Sequence, residues 1–522
     1  MKMRLLCTLA EAHVCGEKTV LHLLLDRTND PRREILARLV VLNQFYKRTT
    51  SKHIDEHFSE SLHEASQQHP AMGRTLGCFD NCSIHDCELG GLIRWIQLKL
   101  VEMKLRRWPS LAFLELSYNQ IGDPGMQYLS AAIDNGSLGG LQEIYLSGNK
   151  IGNVGIRTLA CGSGPLASLV RLDVDDNDIG DAGLTALADA MSGGVMANLE
   201  VIWLVDNRVG VEGMRAFATD GAFAKLKALY LGYNRIGDDG LSALGGAITR
   251  GQLTSLKDLW LNSNQLSDEG MHSFSAALAR IPLLHSLCLD QNRIGDVGLA
   301  ALAGISLATL RVLLLQHNRI GKGGMQALAA AVARGAMPKL EVLDVSGNTI
   351  GDAGVTALSG ALARLNDLRE LYLASNQIGD EGMEAFSVAI AAGSLRHLTE
   401  LNMGVNAIGD TGLTIFAVAC RSGSLASLDA LGFGDNRIGN AGMAALSCVA
   451  GSLTNLKRLW LNYNQIGDAG IQALSDVIDT SLENLTALYV DHNRISEPGW
   501  APFEAALARR ASTSLRRLIV DD

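Results

Sequence analysis

Three cysteines and one histidine lie close together near residue 80 and could ligate a metal ion. They are Cys78, Cys82, His85 and Cys87, and thiolates with imidazole are ligands that Zn²⁺ favours. Their C-x3-C-x4-C spacing matches no standard zinc knuckle. We therefore interpret the cysteines as small apolar side chains of a capping repeat, with a zinc site as the alternative.

A second candidate metal site is the segment from His53 to His57, which matches H-x-x-E-H. On a helix, the two histidines would share one face and Glu56 could act as a general base, as in inverted zinc proteases. The surrounding segment is polar and amphipathic, and no third ligand can be identified in the sequence. A solvated helix face is the preferred interpretation.

Other patterns that carry chemistry are absent from the sequence. It contains no G-x-x-x-x-G-K-[ST], no H-E-x-x-H and no G-x-S-x-G. The acidic run that begins at Asp173 fails the calcium-loop test, because its sixth residue is Asp178 and its twelfth is Leu184 instead of Gly and Glu. We therefore predict no catalytic residue, no bound metal and no cofactor, and we do not expect an enzyme.

The chain after about residue 110 is dominated by an array of repeats. The phrase L-x-x-L-x-L-x-x-N-x-I-G-D-x-G-x-x-A-L recurs fourteen times at spacings of 26 to 30 residues, and a fifteenth strand from Leu515 to Val520 ends the chain. Because no single unit can bury its own apolar face, the units must stack. The asparagines of the phrase are Asn119, Asn149, Asn177, Asn207, Asn234, Asn264, Asn292, Asn318, Asn348, Asn376, Asn406, Asn436, Asn464 and Asn493.

Each part of the phrase has a physical interpretation. The L-x-x-L-x-L part alternates like a strand with one buried face. The asparagine can satisfy backbone groups of the neighbouring coil, so that stacked copies form a ladder. The glycine six residues later, from Gly125 to Gly499, allows tight packing where the chain meets a helix. The residue two before that glycine is Asp or Asn in eleven repeats, and it is predicted to be the N-cap of the repeat's helix.

The predicted fold is therefore an α/β solenoid over residues 111–522, with a parallel inner β-sheet and outer helices. Residues 71–110 are interpreted as a degenerate capping repeat, since 76–81 (LGCFDN) is similar to 431–436 (LGFGDN). Residues 1–70 are predicted to be a mainly helical region, with the remnant of an ankyrin repeat as one interpretation.

The asparagine column and the N-x-I-G-D-x-G turn resemble the ribonuclease-inhibitor-type leucine-rich-repeat family. Within that family, the repeats most resemble the arrays of NOD-like receptors. The array of Ran GTPase-activating proteins is the second most similar. The resemblance covers about 110–522 and implies a leucine-rich-repeat horseshoe. Ribonuclease inhibitor is rich in Cys and this array is not, so ribonuclease inhibition is not implied. The nucleotide-binding module of NOD-like receptors is missing from the sequence.

The aromatic residues give the main functional signal, because they are concentrated at two positions of the strand phrase. The chain has nine Tyr and six Trp, and ten of these lie at the fifth or eighth position. The fifth position is predicted to face the concave side, where exposed Trp and Tyr favour binding. The alternative is that the rings only stack between strands. The predicted partner-binding residues are Tyr145, Trp203, Tyr230, Trp260, Tyr372, Trp460 and Tyr489 at the fifth position, and Tyr233 and Tyr463 at the eighth.

The charge of the chain narrows the class of partner. The net charge is −10, of which residues 1–110 contribute +3 and residues 111–522 contribute −13. An acidic surface repels phosphate, so we expect a basic or amphipathic protein partner and no nucleic acid. No apolar run approaches 18 residues, and the nine Cys follow no disulfide pattern. These features predict no membrane insertion and a cytoplasmic location, with the nucleus as alternative; they leave the oligomeric state open.

The sequence as a whole predicts a non-enzymatic interaction scaffold that binds a protein on its concave face, similar to NOD-like-receptor arrays. The alternative is a GTPase-activating protein resembling the Ran-specific family, although no residue can be given a catalytic role and the long acidic tail of that family is absent. A GTP hydrolysis assay with small GTPases separates the two hypotheses.

Overall fold

The structure is a computed structural model that describes residues 85, 112–162, 166–219, 223–509 and 517–519. These residues form two compact units that divide between Trp203 and Leu204.

The predicted N-terminal region, and with it the H-x-x-E-H segment, lies outside the described residues. So does the predicted capping repeat with its three cysteines, apart from His85. His85 is exposed and forms a parallel bridge with Gln120, and Gly122 forms the corresponding bridge with Lys150 one repeat later. His85 thus occupies the place that Gly122 takes one repeat later, and the capping repeat stays a prediction.

The first unit repeats one pattern of strand, turn and helix. Its strands each span three residues and pair in parallel in chain order. The described elements are β1 (Phe113–Glu115), α1 (Asp123–Asp134), β2 (Glu143–Tyr145), α2 (Asn153–Ala160), β3 (Arg171–Asp173), α3 (Asp181–Ser192) and β4 (Val201–Trp203).

The second unit continues the same pattern through eleven described strands, which are again parallel and in chain order. The strands are β5 (Ala228–Tyr230), β6 (Asp258–Trp260), β7 (Ser286–Cys288), β8 (Val312–Leu314), β9 (Val342–Asp344), β10 (Glu370–Tyr372), β11 (Glu400–Asn402), β12 (Ala430–Gly432), β13 (Arg458–Trp460), β14 (Ala487–Tyr489) and β15 (Arg517–Ile519). Short 3₁₀ helices span Phe223–Lys225, Leu362–Arg364 and Ala450–Ser452.

The α-helices of the second unit each pack against the next helix in the chain. They are α4 (Val211–Phe217), α5 (Gly237–Thr249), α6 (Asp268–Leu278), α7 (Asp296–Ala303), α8 (Lys322–Ala333), α9 (Gly351–Ser359), α10 (Asp380–Ala391), α11 (Asp410–Cys420), α12 (Asn440–Ser447), α13 (Asp468–Ser475) and α14 (Glu497–Arg509). This alternation of parallel strands and helices is the predicted α/β leucine-rich-repeat solenoid.

The core lies between the sheet and the helices. In the repeat of β11, the middle strand residue Leu401 and Met403 are both fully buried. They are joined there by Leu413 and Phe416 from α11, which have no exposed surface. The period-two alternation of the strand leaves the first and third strand residues on the opposite side of the sheet. We call that side, which faces away from the helices, the open face.

The asparagines form the predicted ladder. The Asn436 Nδ2 group donates to the carbonyl oxygen of Met403 in the preceding repeat at 3.0 Å and to that of Phe433 in its own repeat at 3.1 Å. Its Oδ1 accepts the backbone N–H of Ile408 in the preceding repeat at 3.0 Å. A buried polar side chain at this position therefore bonds backbone groups of two consecutive coils, which confirms the interpretation of the asparagine column.

The prediction that the Asp or Asn of the turn caps its own helix is wrong. Asp380 is the first residue of α10, and the N-cap is Gly379, which has no side chain to accept a bond. The Asp380 Oδ1 atom instead accepts the backbone N–H groups of Gly409 at 2.7 Å and Gly412 at 3.0 Å, where the next helix begins. The carboxylate thus supplies acceptors to the orphan N–H groups of the following repeat.

This bond between repeats explains why glycine recurs at the start of each helix. A Cβ atom at Gly412 would lie 2.5 Å from Asp380 Oδ1, and one at Gly382 would lie 2.6 Å from Asp352 Oδ1. The glycine therefore allows the carboxylate of the preceding repeat to reach the helix start. The prediction of tight packing at this glycine is correct, and the atom that needs the space is the carboxylate oxygen.

Two repeats of the second unit lack the acceptor, and the helix after each of them begins differently. Val211 and Lys322 stand where the other repeats of this unit have Asp or Asn, or Glu497 in the last repeat. In the next repeats, Gly237 and Gly351 adopt left-handed φ values of 61° and 57°. Their N–H groups then donate to the carbonyl oxygens of later ladder asparagines, both at 3.0 Å. The left-handed conformation of each glycine thus lets its backbone N–H donate to a carbonyl oxygen in place of the absent carboxylate.

Candidate functional site

The fifth position of the phrase is the third residue of each strand, and we call this set the central row. Because neighbouring strands pair in register, consecutive members of the row lie side by side on the open face. The row does not form one continuous aromatic track in the second unit. Cys288, which is 2% exposed, and the buried Gly432 lie in the row between its aromatic members. The rings therefore form separate groups.

The group in the first unit contains Tyr145 and Trp203. Their ring centroids are 6.1 Å apart, and Phe113 lies 5.2 Å from Tyr145. Asp173 belongs to the strand between them, in register with both. Burial raises the pKa of the Asp173 carboxyl to about 6, with Glu115 adding to the rise. The group therefore combines aromatic surface with a carboxyl that titrates close to neutral pH.

Two tyrosine hydroxyls of the central row donate hydrogen bonds to acids on their own strands. Tyr145 donates to Glu143 Oε2 at 3.0 Å, and Tyr372 donates to Glu370 Oε2 at 2.9 Å. Burial raises the pKa of Tyr145 to about 12, and the bond to Glu143 adds to the rise. These bonds fix the orientation of the two rings.

A second group consists of Tyr230 and Trp260 on neighbouring strands. Their centroids are 4.8 Å apart in an edge-to-face arrangement, and Trp260 is 40% exposed. Asp258 precedes Trp260 on the same face, and burial raises its pKa, against the effect of His285 and Lys257. Asn262 follows on that face, only 9% exposed, and its Oδ1 has no hydrogen-bond donor.

A third group is built around Trp460. Its ring is stacked on Tyr489 with centroids 5.6 Å apart and planes 12° from parallel. The Arg458 guanidinium lies 5.7 Å from the Trp460 ring centroid. That guanidinium also binds Glu400 at 2.9 Å and Asp429 at 3.4 Å. An internal cation thus covers this ring and is held by two carboxylates.

The eighth position precedes each ladder asparagine, and we call this set the edge row. Each member has a positive φ, and twelve of the fourteen are not glycine. The left-handed turn directs these side chains outward, so that Tyr118 is 62%, Tyr233 44% and Tyr463 49% exposed. Tyr233 donates its hydroxyl to Gln291 Oε1 at 3.0 Å, and Tyr463 stacks on His492 at 4.1 Å. The edge row thus adds ordered aromatic surface beside the central row.

Sequence reasoning located both rows but missed the polar residues that distinguish one group from another. Asp258 and Asn262 flank Trp260, whereas Arg458 precedes Trp460 at the position equivalent to Asp258. The signal was available, because the phrase L-W-L-N-x-N-Q occurs at both places, in residues 259–265 and 459–465. A comparison of the residue before each phrase would have shown the opposite charges.

Within the part of the chain that the structure describes, no group of three or more His, Cys, Asp or Glu side chains is arranged to hold a metal ion. In the same residues, no helix is both long enough and apolar enough to span a bilayer.

Comparison with solved structures found chains that resemble this one at low sequence identity. An internalin from Listeria monocytogenes aligns with a TM-score of 0.44 and 20% identity, over 83% of this chain and 95% of that chain. A leucine-rich-repeat protein from Leptospira interrogans aligns with a TM-score of 0.42 and 20% identity, over 75% and 91% of the two chains.

Comparison with curated proteins found a local match. NACHT, LRR and PYD domains-containing protein 3 from Mus musculus is 36% identical over 101 residues, and the same protein from Rattus norvegicus matches to the same extent. The match covers 18% of this chain, and it spans only 9% of the length of each relative.

A sequence profile described as leucine-rich repeat matches the chain repeatedly. The matched segments are 109–130, 141–160, 166–188, 224–245, 252–275, 281–303, 306–329, 336–359, 364–387, 394–417 and 452–475. They coincide with the strand and helix units of both compact parts of the structure. The chain therefore belongs to the leucine-rich-repeat proteins.

Proposed function

We propose that this chain is a non-enzymatic interaction scaffold whose open face binds a basic or amphipathic protein. The observation that carries the proposal is the placement of the aromatic residues. Of the nine Tyr and six Trp in the chain, seven lie in the central row and three in the edge row. Tyr and Trp are enriched in binding hot spots, because they bury a large area at little cost in conformational entropy.

Exposure supports a role beyond strand stacking. Trp260, Tyr233 and Tyr463 are each at least 40% exposed, although strand packing alone would favour their burial. The rings are also pre-ordered by neighbours and hydrogen bonds, which lowers the entropy lost when a partner binds. Since the chain has a net charge of −10, a basic partner is favoured and nucleic acid is not.

The finer proposal is a recognition array similar to those of NOD-like receptors, acting in the cytoplasm or nucleus. The 101-residue similarity to a NACHT-, LRR- and PYD-containing protein supports this comparison at the level of the repeats. The ribonuclease-inhibitor-type subfamily is proposed on the repeat phrase, with its asparagine column and glycine-rich turn.

The test is affinity capture of partners from the native cell by the full chain, followed by mass spectrometry. The double variant Trp203→Ala with Trp260→Ala removes one ring from each unit, and we expect it to weaken capture of specific partners by about tenfold or more. Tyr128→Ala is the matched control, because Tyr128 is 37% exposed on α1 and thus on the helical side. Undiminished capture by the double variant, with normal thermal unfolding, would contradict the proposal.

A further inference from the structure

The two copies of L-W-L-N-x-N-Q place the same side chains in two different electrostatic settings. Both tryptophans belong to the central row, each is paired with a tyrosine of a neighbouring strand, and each is followed two residues later by an asparagine. The residue two positions before the tryptophan also lies on the open face. It is Arg458 in one copy and Asp258 in the other.

At Trp460, the chain supplies its own cation. Arg458 is placed 5.7 Å from the ring centroid, and Glu400 and Asp429 hold its guanidinium there. The Trp460 ring also stacks on Tyr489. Both partners cover the indole, and Trp460 is less exposed than Trp260. This copy shows what an occupied site on this framework contains: an indole, a second ring, a cation and carboxylates.

Trp260 is likewise paired with a second ring, that of Tyr230. The position that Arg458 takes in the other copy is here occupied by the acid Asp258. Within the described ranges, no Lys or Arg cation lies over this indole, which is 40% exposed. Asp258 provides a carboxylate on the same face. Asn262 is about nine-tenths buried, and its Oδ1 has no donor. A π face, a carboxylate and an unbonded amide oxygen all attract a cation that carries N–H groups.

The backbone beside this site accommodates the Asn262 side chain, because a glycine stands opposite it. Gly232 lies two residues after Tyr230 on the open face, and the Asn262 carboxamide leans over it. A Cβ atom at Gly232 would be 2.3 Å from Asn262 Oδ1. The amide therefore occupies the volume of the side chain that Gly232 lacks, and Gly232 lies between Tyr230 and the exposed Tyr233 in the chain. The Oδ1 atom of Asn262, which lacks a donor, is thus held beside the backbone of the residue that lies two positions after Tyr230.

We propose that the site formed by Tyr230, Asp258, Trp260 and Asn262 binds an arginine or lysine side chain of the protein partner, in the place that Arg458 takes at Trp460. The inference rests on the proposed function and names the chemistry of one contact within it. The cationic group lies over the indole, Asp258 balances its charge, and its N–H groups satisfy Asn262 Oδ1.

The experiment measures binding of fluorescently labelled nona-arginine, nona-lysine and nona-glutamate to the full chain by anisotropy, in about 0.15 M salt, where long-range attraction is screened. We expect both cationic peptides to bind and nona-glutamate not to bind. Trp260→Leu keeps an apolar side chain but removes the π face, and Asp258→Arg installs the internal cation of the other copy. Each is expected to weaken nona-arginine binding by about tenfold or more.

Two controls separate the site from general charge effects. Trp460→Leu makes the same change where Arg458 already covers the ring, and Asp367→Arg makes the same charge change at an exposed residue outside the strands. Both are expected to bind nona-arginine within about twofold of the unchanged protein. Circular dichroism and thermal unfolding confirm that each variant is folded.

The proposal is overturned if the Trp260 and Asp258 variants bind like the unchanged protein, or if each control weakens binding as much as its counterpart. If that happens while the Trp203 and Trp260 double variant still loses its partners, the cation assignment fails and the scaffold function stands. If the double variant keeps its partners, the proposed function itself fails.

Discussion

The bond between repeats made by Asp380 can be tested by a double-mutant cycle with Gly412. Asp380→Ala removes the acceptor of two backbone N–H groups, at Gly409 and Gly412, which are 2.7 and 3.0 Å from Oδ1. Loss of a helix cap costs about 0.5–2 kcal/mol, and a bond to a charged group contributes about 1.5–3 kcal/mol. Because water can partly replace the carboxylate at this part-buried position, we expect a loss of about 2–3 kcal/mol in the free energy of unfolding.

Gly412→Ala perturbs the same contact from the other side. Its Cβ would lie 2.5 Å from Asp380 Oδ1 but 3.2 Å from the next nearest atoms, so the carboxylate is the group that must move. Once Asp380 is alanine, that clash is gone. The double variant should therefore be about 1–2 kcal/mol more stable than the sum of the single changes predicts. Gly451→Ala is the control, because no atom lies within 4 Å of its Cβ position.

The measurement combines urea unfolding of the full chain with hydrogen exchange of the segment that contains Gly409 and Gly412. Exchange localises the effect, which matters because repeat arrays can unfold in parts. We expect faster exchange at the start of α11 in Asp380→Ala and little change in distant repeats. Additive free energies for the two changes, or unchanged exchange in this segment, would refute the assignment of the carboxylate as the cap.

Three further outcomes follow from the structure. Burial raises the pKa of Asp290 from its ordinary 3.8 to about 6, so the stability that the neutral carboxyl contributes is present below about pH 4 and is lost as the pH rises through 6. Urea curves should therefore show Asp290→Asn as stable as the unchanged protein at pH 4 and about 1–2 kcal/mol more stable at pH 7.5. Val405 is β-branched at φ 54°, so Val405→Gly should raise the unfolding free energy by about 1 kcal/mol, and Ser375→Gly, also at φ 54°, by less. Thermal unfolding should show that Gly351→Ala is costly in the unchanged chain, by about 1–2 kcal/mol, and less costly together with Lys322→Asp, which restores the missing acceptor.

The repeat phrase predicted the framework correctly because the buried face is encoded locally. In the repeat of β10, for example, Leu371 and Leu373 are fully buried, as alternation requires, and Asn376 follows as a fully buried ladder residue. Stacking then determines the order of the strands, since each unit can bury its apolar face only against its neighbours. The repeat phrase alone was therefore sufficient to predict that the strands are parallel.

The role of the turn carboxylate could not be read in the same way. Asp380 lies directly after the N-cap of its own helix, and this spacing favours a local cap. Its actual partners are 29 and 32 residues away, at Gly409 and Gly412. The distance between coils is set by packing, not by the local pattern. The clue to the role of the carboxylate was a correlation between consecutive repeats. Where Val211 or Lys322 replaces the acidic residue, the next repeat has a left-handed glycine at the start of its helix.

The candidate site shows the same division between framework and detail. Alternation fixes which residues face outward, so the sequence could place Trp260 and Trp460 in one row. Alternation does not fix what lies over each ring, because that depends on side chains from adjacent strands, such as Glu400, which holds Arg458 across an intervening repeat. One residue, Asp258 or Arg458, decides whether the same L-W-L-N phrase attracts a cation or already contains one. In an array whose packing residues repeat, the residues that differ between copies are therefore the ones that give each part of the open face its own partner chemistry.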